Sequence, residues 1–301
     1  MATEEKPEAE TKATKTGARA AKAEEGQGGA AAGSAQQMVR PEDMPFEDLL
    51  KYYRANAAKN NWGFDPIIII GPTGSGKSSS IENLPPQLTF ILNAEEQPLP
   101  FRGANRFTLA YTPKPAGTPV KRKDADGNEV EKKLGSKYTQ IADMMRWAFT
   151  APAPITILDS LVEMQNRCGQ ECEVLYQGFD RMSNYNSRLG EILDLCRTPN
   201  KFTIVFTHPE NLSDVQGQEQ TVAITQGKVW KGRIESKFTI ALYAMTVPTE
   251  DGTGVEYKFL TNKTAGHALV SAKSPRGMFD IFEPNDLTVI LRKLMLYRMG
   301  V

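Results

Sequence analysis

The fold is decided by residues 66–82, which read PIIIIGPTGSGKSSSIE. Four isoleucines in a row predict a short strand over 66–70 that is buried on both faces of a sheet. The turn over 71–78 matches the pattern G-x-x-x-x-G-K-[ST] in full, and residues 79–82 are expected to continue as a helix. A strand, a glycine-rich turn and a helix in this order predict a phosphate site, because backbone N–H groups and a helix N-terminus both attract anions.

The turn also predicts how a nucleoside triphosphate would be held. Lys77 is expected to bridge the β- and γ-phosphates, and Ser78 to bind Mg²⁺ through its hydroxyl. A glycine-rich turn without function is the alternative, and the order of the surrounding elements argues against it. The residues predicted to bind ATP are Gly71, Pro72, Thr73, Gly74, Ser75, Gly76, Lys77, Ser78 and Ser79.

A second apolar run ends in a carboxylate. Residues 155–158 read ITIL and are followed by Asp159, the arrangement of a Walker B motif. Ligands of α/β sheets bind at the carboxyl ends of the strands, so we expect Asp159 to hold the Mg²⁺ together with Ser78. A helix N-cap is the alternative role for an aspartate that closes a strand.

The predicted strand over 89–92 leads into two more carboxylates, Glu95 and Glu96. This strand is expected to end at the same sheet edge as the glycine turn. Hydrolysis needs a base that orients or deprotonates the attacking water, and Glu95 is the first candidate for it. Glu96 is the second candidate, and a solvated acidic loop is the alternative to both.

The rest of the chain alternates between strand and helix patterns. We expect strands over 107–111 and 202–207 and helices over 45–58, 137–149 and 183–196. Apolar strands separated by helices predict an α/β fold with a mainly parallel central sheet and flanking helices. Beyond residue 237, strands near 238–247, 257–260 and 268–272 predict a C-terminal antiparallel extension. A last helix should begin after Asn285 or Asp286 and end near residue 298.

Composition limits the partners and the compartment. The 301 residues carry 36 Lys and Arg against 36 Asp and Glu, so the formal net charge is zero and no long-range field attracts polyanions. Three cysteines and the lack of an apolar run near the roughly 20 residues of a membrane span predict a cytoplasmic protein without a membrane partner. Residues 1–40 predict a disordered Ala/Lys/Glu/Gly-rich tail, 41–301 a single domain, and 114–137 an exposed hairpin insertion.

The chain resembles the RecA-like branch of P-loop ATPases. The resemblance rests on the glycine turn, on Asn93-Ala94-Glu95 closing the next strand, and on Asp159-Ser160. Within the branch it is similar to compact bacteriophage ATPases, labelled AAA-family or nucleotide-binding proteins, of single-strand annealing and recombination systems. The resemblance implies Mg²⁺-dependent ATP hydrolysis on single-stranded DNA, in phage recombination, annealing or replication. It also implies a homo-oligomer, ring or filament, in the host bacterial cytoplasm, with phage recombination or replication proteins as further partners.

The resemblance implies roles for three more residues. His208 follows the strand over 202–207, where the family usually places a polar sensor of the γ-phosphate, more often Gln than His. Lys273 and Arg276 resemble the pair that RecA-like oligomers present to the ATP of the neighbouring subunit, with a spacing one residue longer than in the helicases. A strand-end cap for His208 and an ordinary surface turn for the other two are the alternatives.

Two segments fall where RecA-like proteins place DNA loops. The first covers 166–186, and the second is the long polar segment 209–236. The second ends in cations interleaved with an aromatic ring, as single-strand binding requires: Lys228, Trp230, Lys231 and Arg233. A core anchor is the alternative role for Trp230.

Two other function classes remain open. A nucleotide-gated protein that loads or regulates another protein would hydrolyse ATP slowly, and the tail and hairpin would suit it. A P-loop kinase for a small molecule is disfavoured, because such kinases usually carry an arginine-rich lid and the insertion at 114–137 has a single arginine, Arg122.

Overall fold

The computed structural model describes residues 39–123, 128–197, 199–213 and 219–301. Apart from Val39 and Arg40, the predicted tail at 1–40 lies outside the described residues. Residues Val39–Val301 group into one compact unit.

Twelve strands and five α-helices form in the described part of the chain. The strands are β1 (Ile67–Ile70), β2 (Thr89–Asn93), β3 (Ala110–Tyr111), β4 (Pro119–Lys123), β5 (Glu129–Lys133), β6 (Ile155–Asp159), β7 (Phe202–Thr207), β8 (Pro209–Ser213), β9 (Glu219–Ala223), β10 (Ile240–Pro248), β11 (Val255–Leu260) and β12 (Phe282–Pro284). The helices are α1 (Phe46–Asn60), α2 (Lys137–Thr150), α3 (Leu161–Leu175), α4 (Gly178–Leu195) and α5 (Leu287–Met299). None of the described helices is both long and apolar enough to span a membrane.

One eight-stranded sheet organises these elements, in the order β12-β11-β10-β1-β7-β6-β2-β3. The six strands from β10 to β3 run parallel to their neighbours, and β11 and β12 add antiparallel to β10. This arrangement confirms the predicted α/β fold with a mainly parallel sheet, flanking helices and a C-terminal antiparallel extension. Strand β7 lies between β1 and β6, so the two strands with the predicted phosphate and metal residues are one strand apart.

The four isoleucines of β1 show how the sheet is buried. Successive side chains of a strand point to opposite faces, and Ile68 and Ile70 pack in a core with α2, α3 and α4, while Ile67 and Ile69 pack in a core with α1 and α5. All four side chains are fully buried. Helices on both faces explain why this strand is a continuous apolar run.

Most predicted elements form close to their expected bounds. Asp286 caps α5, where its side chain accepts a hydrogen bond from the Thr288 N–H at 2.7 Å. In the predicted insertion, β4 and β5 pair as an antiparallel hairpin whose turn lies outside the described residues.

The predicted helix after the glycine turn is wrong in its length. Only a single 3-10 turn, Ser78–Ile81, follows the glycine turn. Pro85 and Pro86 come shortly afterwards and lead directly into β2, which leaves no room for a longer helix.

Three other predictions from local pattern are also wrong. Residues 268–272 do not form a strand, and only isolated bridges tie Val270 to Thr221 and Lys273 to Ala241. The segment 209–236, expected as one long polar loop, contains a hairpin of β8 and β9. The proposed first DNA loop, 166–186, is almost wholly helical and belongs to α3 and α4.

Candidate phosphate-binding site

The parallel strands bring the predicted site residues to one edge of the sheet. In the pairing of β1 with β7, Ile70 is level with Thr207, and in the pairing of β2 with β6, Asn93 is level with Asp159. The segments that follow these four strands therefore emerge side by side, at the carboxyl edge where α/β sheets bind their ligands.

The glycine turn has the geometry of an anion cradle. Gly74 and Gly76 have positive φ angles of 78° and 87°, which favour glycine. Within the described residues, the N–H groups of Gly74, Gly76, Lys77 and Ser78 make no hydrogen bond. The buried Ser75 Oγ also has no partner there. Unpaired donors of this kind are what a bound phosphate would satisfy.

Lys77 folds back over the turn that carries it. Its Nζ donates to the carbonyl oxygens of Gly71 at 2.7 Å and Pro72 at 2.9 Å. Burial lowers the pKa of Lys77, while Asp159 and Glu95 act in the opposite direction. The ammonium group is therefore held inside the site, close to the turn, where a phosphate would give it a counter-charge.

Ser78 and Asp159 lie in direct contact across the sheet edge. The Ser78 hydroxyl donates to Asp159 Oδ2 at 2.8 Å, although the two residues are 81 positions apart. Burial raises the pKa of Asp159 to about 6, and the hydrogen bond from Ser78 opposes this shift. A hydroxyl and a carboxylate so close together fit Mg²⁺, which prefers hard oxygen ligands.

Glu95 is fixed beside Asp159 by the backbone. The Asp159 carbonyl accepts the N–H groups of Ala94 at 2.6 Å and Glu95 at 3.1 Å. The Glu95 carboxylate lies 3.8 Å from His208 Nε2. His208 is the main cause that lowers the pKa of Glu95, and burial opposes it. The carboxylate is therefore ionised at neutral pH, as a base must be.

Glu96 is directed elsewhere. It has a positive φ of 61° and forms ion pairs with Lys137 at 2.5 Å and Arg167 at 3.4 Å. Of the two candidate bases, only Glu95 lines the cavity beside the glycine turn.

A cavity of about 460 Å³ joins these residues. This volume is within the range of roughly 300 to 1,000 Å³ that ligand sites occupy. Its lining consists of the glycine turn with its flanks and five more distant side chains: Thr73, Gly74, Ser75, Gly76, Lys77, Ser78, Ser79, Glu95, Pro100, Asp159, His208 and Tyr257. The arrangement can bind a polyphosphate, coordinate a divalent cation and present a carboxylate base to a water molecule.

Sequence reasoning missed Pro100, which follows β2 and lines the cavity, and two residues from much further along the chain. Tyr257, on β11, lines the cavity, and Asn285, just before α5, donates to the Gly76 carbonyl at 2.8 Å. Both come from the antiparallel extension, about 180 and 210 positions from the glycine turn. No local pattern marks them, because their approach depends on how β11 and β12 add to the sheet.

Lys273 and Arg276 do not line the cavity of their own chain. Both are exposed, and Lys273 is held through its backbone, which exchanges hydrogen bonds with Ala241 on β10 at 2.8 and 2.9 Å.

The predicted DNA-binding cluster separates into two groups. Lys228 and Arg233 are exposed. Lys231 instead pairs with Glu210 at 3.1 Å. Trp230 packs against the core on the α4 side, and its Nε1 donates to the Asn186 carbonyl at 3.1 Å. These contacts fit the anchor alternative for Trp230, which is only partly buried, and stacking of its ring on nucleic-acid bases stays a prediction.

Comparison with known proteins finds likeness in structure. No protein-family model and no curated protein matches the chain. Among solved structures, it is similar to a KaiC-like protein from the hyperthermophilic archaeon Pyrococcus horikoshii OT3, with a TM-score of 0.37 and 11% identity. The similarity covers 68% of this chain and 82% of that protein. Function is therefore inferred from the residues of the site.

Proposed function

We propose that this protein is a Mg²⁺-dependent ATPase. The observation that carries the proposal is the 2.8 Å contact between Ser78 and Asp159, beside Lys77 and Glu95 in one cavity. The glycine-turn and Walker B motifs predict that Lys77, Ser78 and Asp159 act together, and the end of the strand over 89–92 predicts Glu95 as their base.

Each residue has a distinct role in the proposed hydrolysis. The N–H groups of the turn and the Lys77 ammonium bind the phosphates, while Ser78 and Asp159 hold Mg²⁺. When bound, Mg²⁺ supplies positive charge that offsets the charge on the transferred phosphoryl group. Glu95 orients the attacking water and accepts its proton, and His208, 3.8 Å away, stabilises the carboxylate in its ionised form.

Single-stranded DNA is the proposed macromolecular substrate, in phage recombination, annealing or replication within the host bacterial cytoplasm. Support comes from the exposed cations Lys228 and Arg233 on the segment that follows His208. Cations of this kind contact the phosphate backbone. A homo-oligomer would bring Lys273 and Arg276 to a neighbouring subunit's ATP.

A specific observation also favours the second candidate, a nucleotide-gated loader of another protein. Two large apolar side chains where α3 meets α4 are almost fully exposed, Val174 at 86% and Phe179 at 85%. Exposed apolar side chains close together are typical of protein-interaction surfaces.

The test measures ATP hydrolysis with and without single-stranded DNA, with Lys77→Ala as the control. We expect the variant to lose on the order of 100- to 1,000-fold in rate, the cost of removing one electrostatic contact to the reacting group. DNA-stimulated turnover supports the first proposal, and slow turnover that ignores DNA favours the loader. Phosphate transfer to a metabolite would indicate a kinase, and failure to bind ATP would contradict all three.

A further inference from the structure

Gly76 is enclosed by the C-terminal antiparallel extension. A Cβ built on Gly76 would lie 2.4 Å from Asn285 Nδ2 and 2.8 Å from Tyr257 Cδ1. A real Cβ atom essentially never lies within 3.0 Å of such neighbours, so the two side chains take up the space that a larger residue would need. The Asn285 amide also donates to the Gly76 carbonyl at 2.8 Å.

This hydrogen bond, together with the one from the Ser80 N–H to the same carbonyl, fixes which way the next N–H group points. In a trans peptide the carbonyl and the N–H group point in opposite directions. Holding the Gly76 carbonyl on the Asn285 side therefore directs the Lys77 N–H the other way. That N–H group makes no hydrogen bond within the described residues, and Lys77 lines the phosphate cavity.

The local structure gives the Gly76 carbonyl little other support. Only the single turn Ser78–Ile81 follows, and one of its N–H groups, that of Ser80, donates to the Gly76 carbonyl at 3.0 Å. Short helical turns are weakly stable by themselves, because each one fixes several residues for few hydrogen bonds. The contact from Asn285 therefore adds support to a peptide that the turn alone holds only weakly.

We propose that Asn285 is a positioning residue for phosphate binding, which holds the Gly76–Lys77 peptide with its N–H group directed into the cavity. The inference rests on the proposed nucleotide-binding function of the same site. It gives the antiparallel extension a role in ligand affinity that the glycine-turn motif does not contain.

The chain offers a matched control for this contact. Asn83 Nδ2 donates to Asp286 Oδ2 at 2.8 Å, which ties the segment after the Ser78–Ile81 turn to the residue that follows Asn285. The Asn83 contact does not involve the glycine turn. Asn83→Ala should therefore reproduce the loss of attachment between the segments without the loss of peptide orientation.

The test measures the dissociation constants of ATP and ADP with Mg²⁺, the steady-state constants, and the unfolding midpoint without nucleotide. For Asn285→Ala we expect the dissociation constants and KM to rise about five- to tenfold, the effect of one hydrogen bond. kcat should change by less than about threefold, because the contact stabilises the bound ground state and the transition state equally. Asn285→Asp keeps the shape of the side chain but cannot donate a hydrogen bond to the Gly76 carbonyl. Its dissociation constants should therefore rise about tenfold or more.

The control and the contrary outcomes separate this inference from the proposed function. Asn83→Ala should bind nucleotide within about twofold of the unmodified protein, the scale of an exposed contact. If Lys77→Ala abolishes binding while Asn285→Ala and Asn285→Asp bind normally, the positioning role is refuted and the ATPase stands. If Asn285→Ala does not fold, nucleotide binding by Asn285→Asp tests the positioning role instead. If the unmodified protein binds no nucleotide, both proposals fail.

Discussion

The pKa of Asp159 makes stability without ligand depend on pH. Burial raises this pKa from 3.8 to about 6. The folded protein therefore favours the protonated Asp159 carboxyl. The stability that this protonated carboxyl contributes is lost as the pH rises from about 4 through 6. Asp159→Asn cannot ionise, so at pH 8, without Mg²⁺ or nucleotide, we expect it to be more stable by about 2 to 3 kcal/mol. Urea unfolding at pH 8 and pH 4.5 measures the difference.

The gain should fall to about 1 kcal/mol at pH 4.5, where the carboxyl of the unfolded chain is already mostly ionised, and ATP hydrolysis should be lost at every pH. The exposed acid Asp143, replaced by Asn, is the control and should change stability by less than about 0.5 kcal/mol. A gain of equal size at both pH values would show that ionisation of Asp159 is not its cause.

The two adjacent glutamates should differ sharply in catalysis. Glu95→Gln keeps the size of the side chain but removes the base, so kcat should fall on the order of 100- to 10,000-fold while ATP still binds. Glu96→Gln loses only ion pairs with Lys137 and Arg167, and its kcat should stay within about twofold. Single-turnover hydrolysis and nucleotide binding distinguish the two variants. A larger loss for Glu96→Gln would reverse the assignment.

At the scale of elements, Trp230 joins the segment after β9 to α4. Gly190 allows the ring to approach, since a Cβ there would lie 3.1 Å from Trp230 Cζ2, and the Lys237 ammonium lies 5.5 Å from the ring centre. We expect Trp230→Ala to lower the free energy of unfolding by about 2 to 3 kcal/mol, less than a fully buried tryptophan would. Chemical denaturation measures it.

Lys228→Ala, two residues away and exposed, is the comparison. It should change stability by less than about 0.5 kcal/mol and weaken single-stranded DNA binding in a salt-dependent way. If Trp230→Ala instead keeps its stability and loses DNA binding, the ring of Trp230 belongs to the DNA-binding surface.

These elements show where sequence reasoning succeeds and where it fails. Strands β1, β6 and β7 were predictable because a buried parallel strand is a nearly continuous apolar run. The length of that run in the sequence gives the length of the strand. Residues 268–272 were also expected to form a strand, yet Val270 makes only an isolated bridge to Thr221. The ring of Trp230 likewise could stack on nucleic-acid bases or pack in a core. Its packing against α4 depends on Gly190, which is distant in the sequence.

At the scale of the whole molecule, the central site was predictable and its C-terminal wall was not. Parallel strands end at one edge, and the motif after β1 lies near the carboxylate that ends β6 because only β7 separates the two strands. The 2.8 Å contact between Ser78 and Asp159 follows from that rule. The approach of Tyr257 and Asn285 to Gly76 depends instead on the packing of the antiparallel extension, which leaves no periodic pattern in the sequence.

The proposed assembly divides the site between subunits, and mixing two inactive variants tests this. Arg276 is exposed and does not line the cavity of its own chain, whereas Glu95 does. Arg276→Ala should lose on the order of 1,000-fold in rate. In a head-to-tail oligomer mixed at random from Arg276→Ala and Glu95→Gln, about a quarter of the sites should combine an intact Arg276 with an intact Glu95. The mixture should then regain about a quarter of the unmodified ATPase rate.

Glu95→Gln mixed with Lys77→Ala is the control, because both residues belong to the same chain's cavity and no exchange of subunits can rebuild it. That mixture should stay inactive. The recovered rate should also fall on dilution, because the neighbour that supplies Arg276 is lost as the oligomer dissociates. If the first mixture shows only the sum of its two separate rates, Arg276 does not act across subunits, and Lys273 beside it loses the same role.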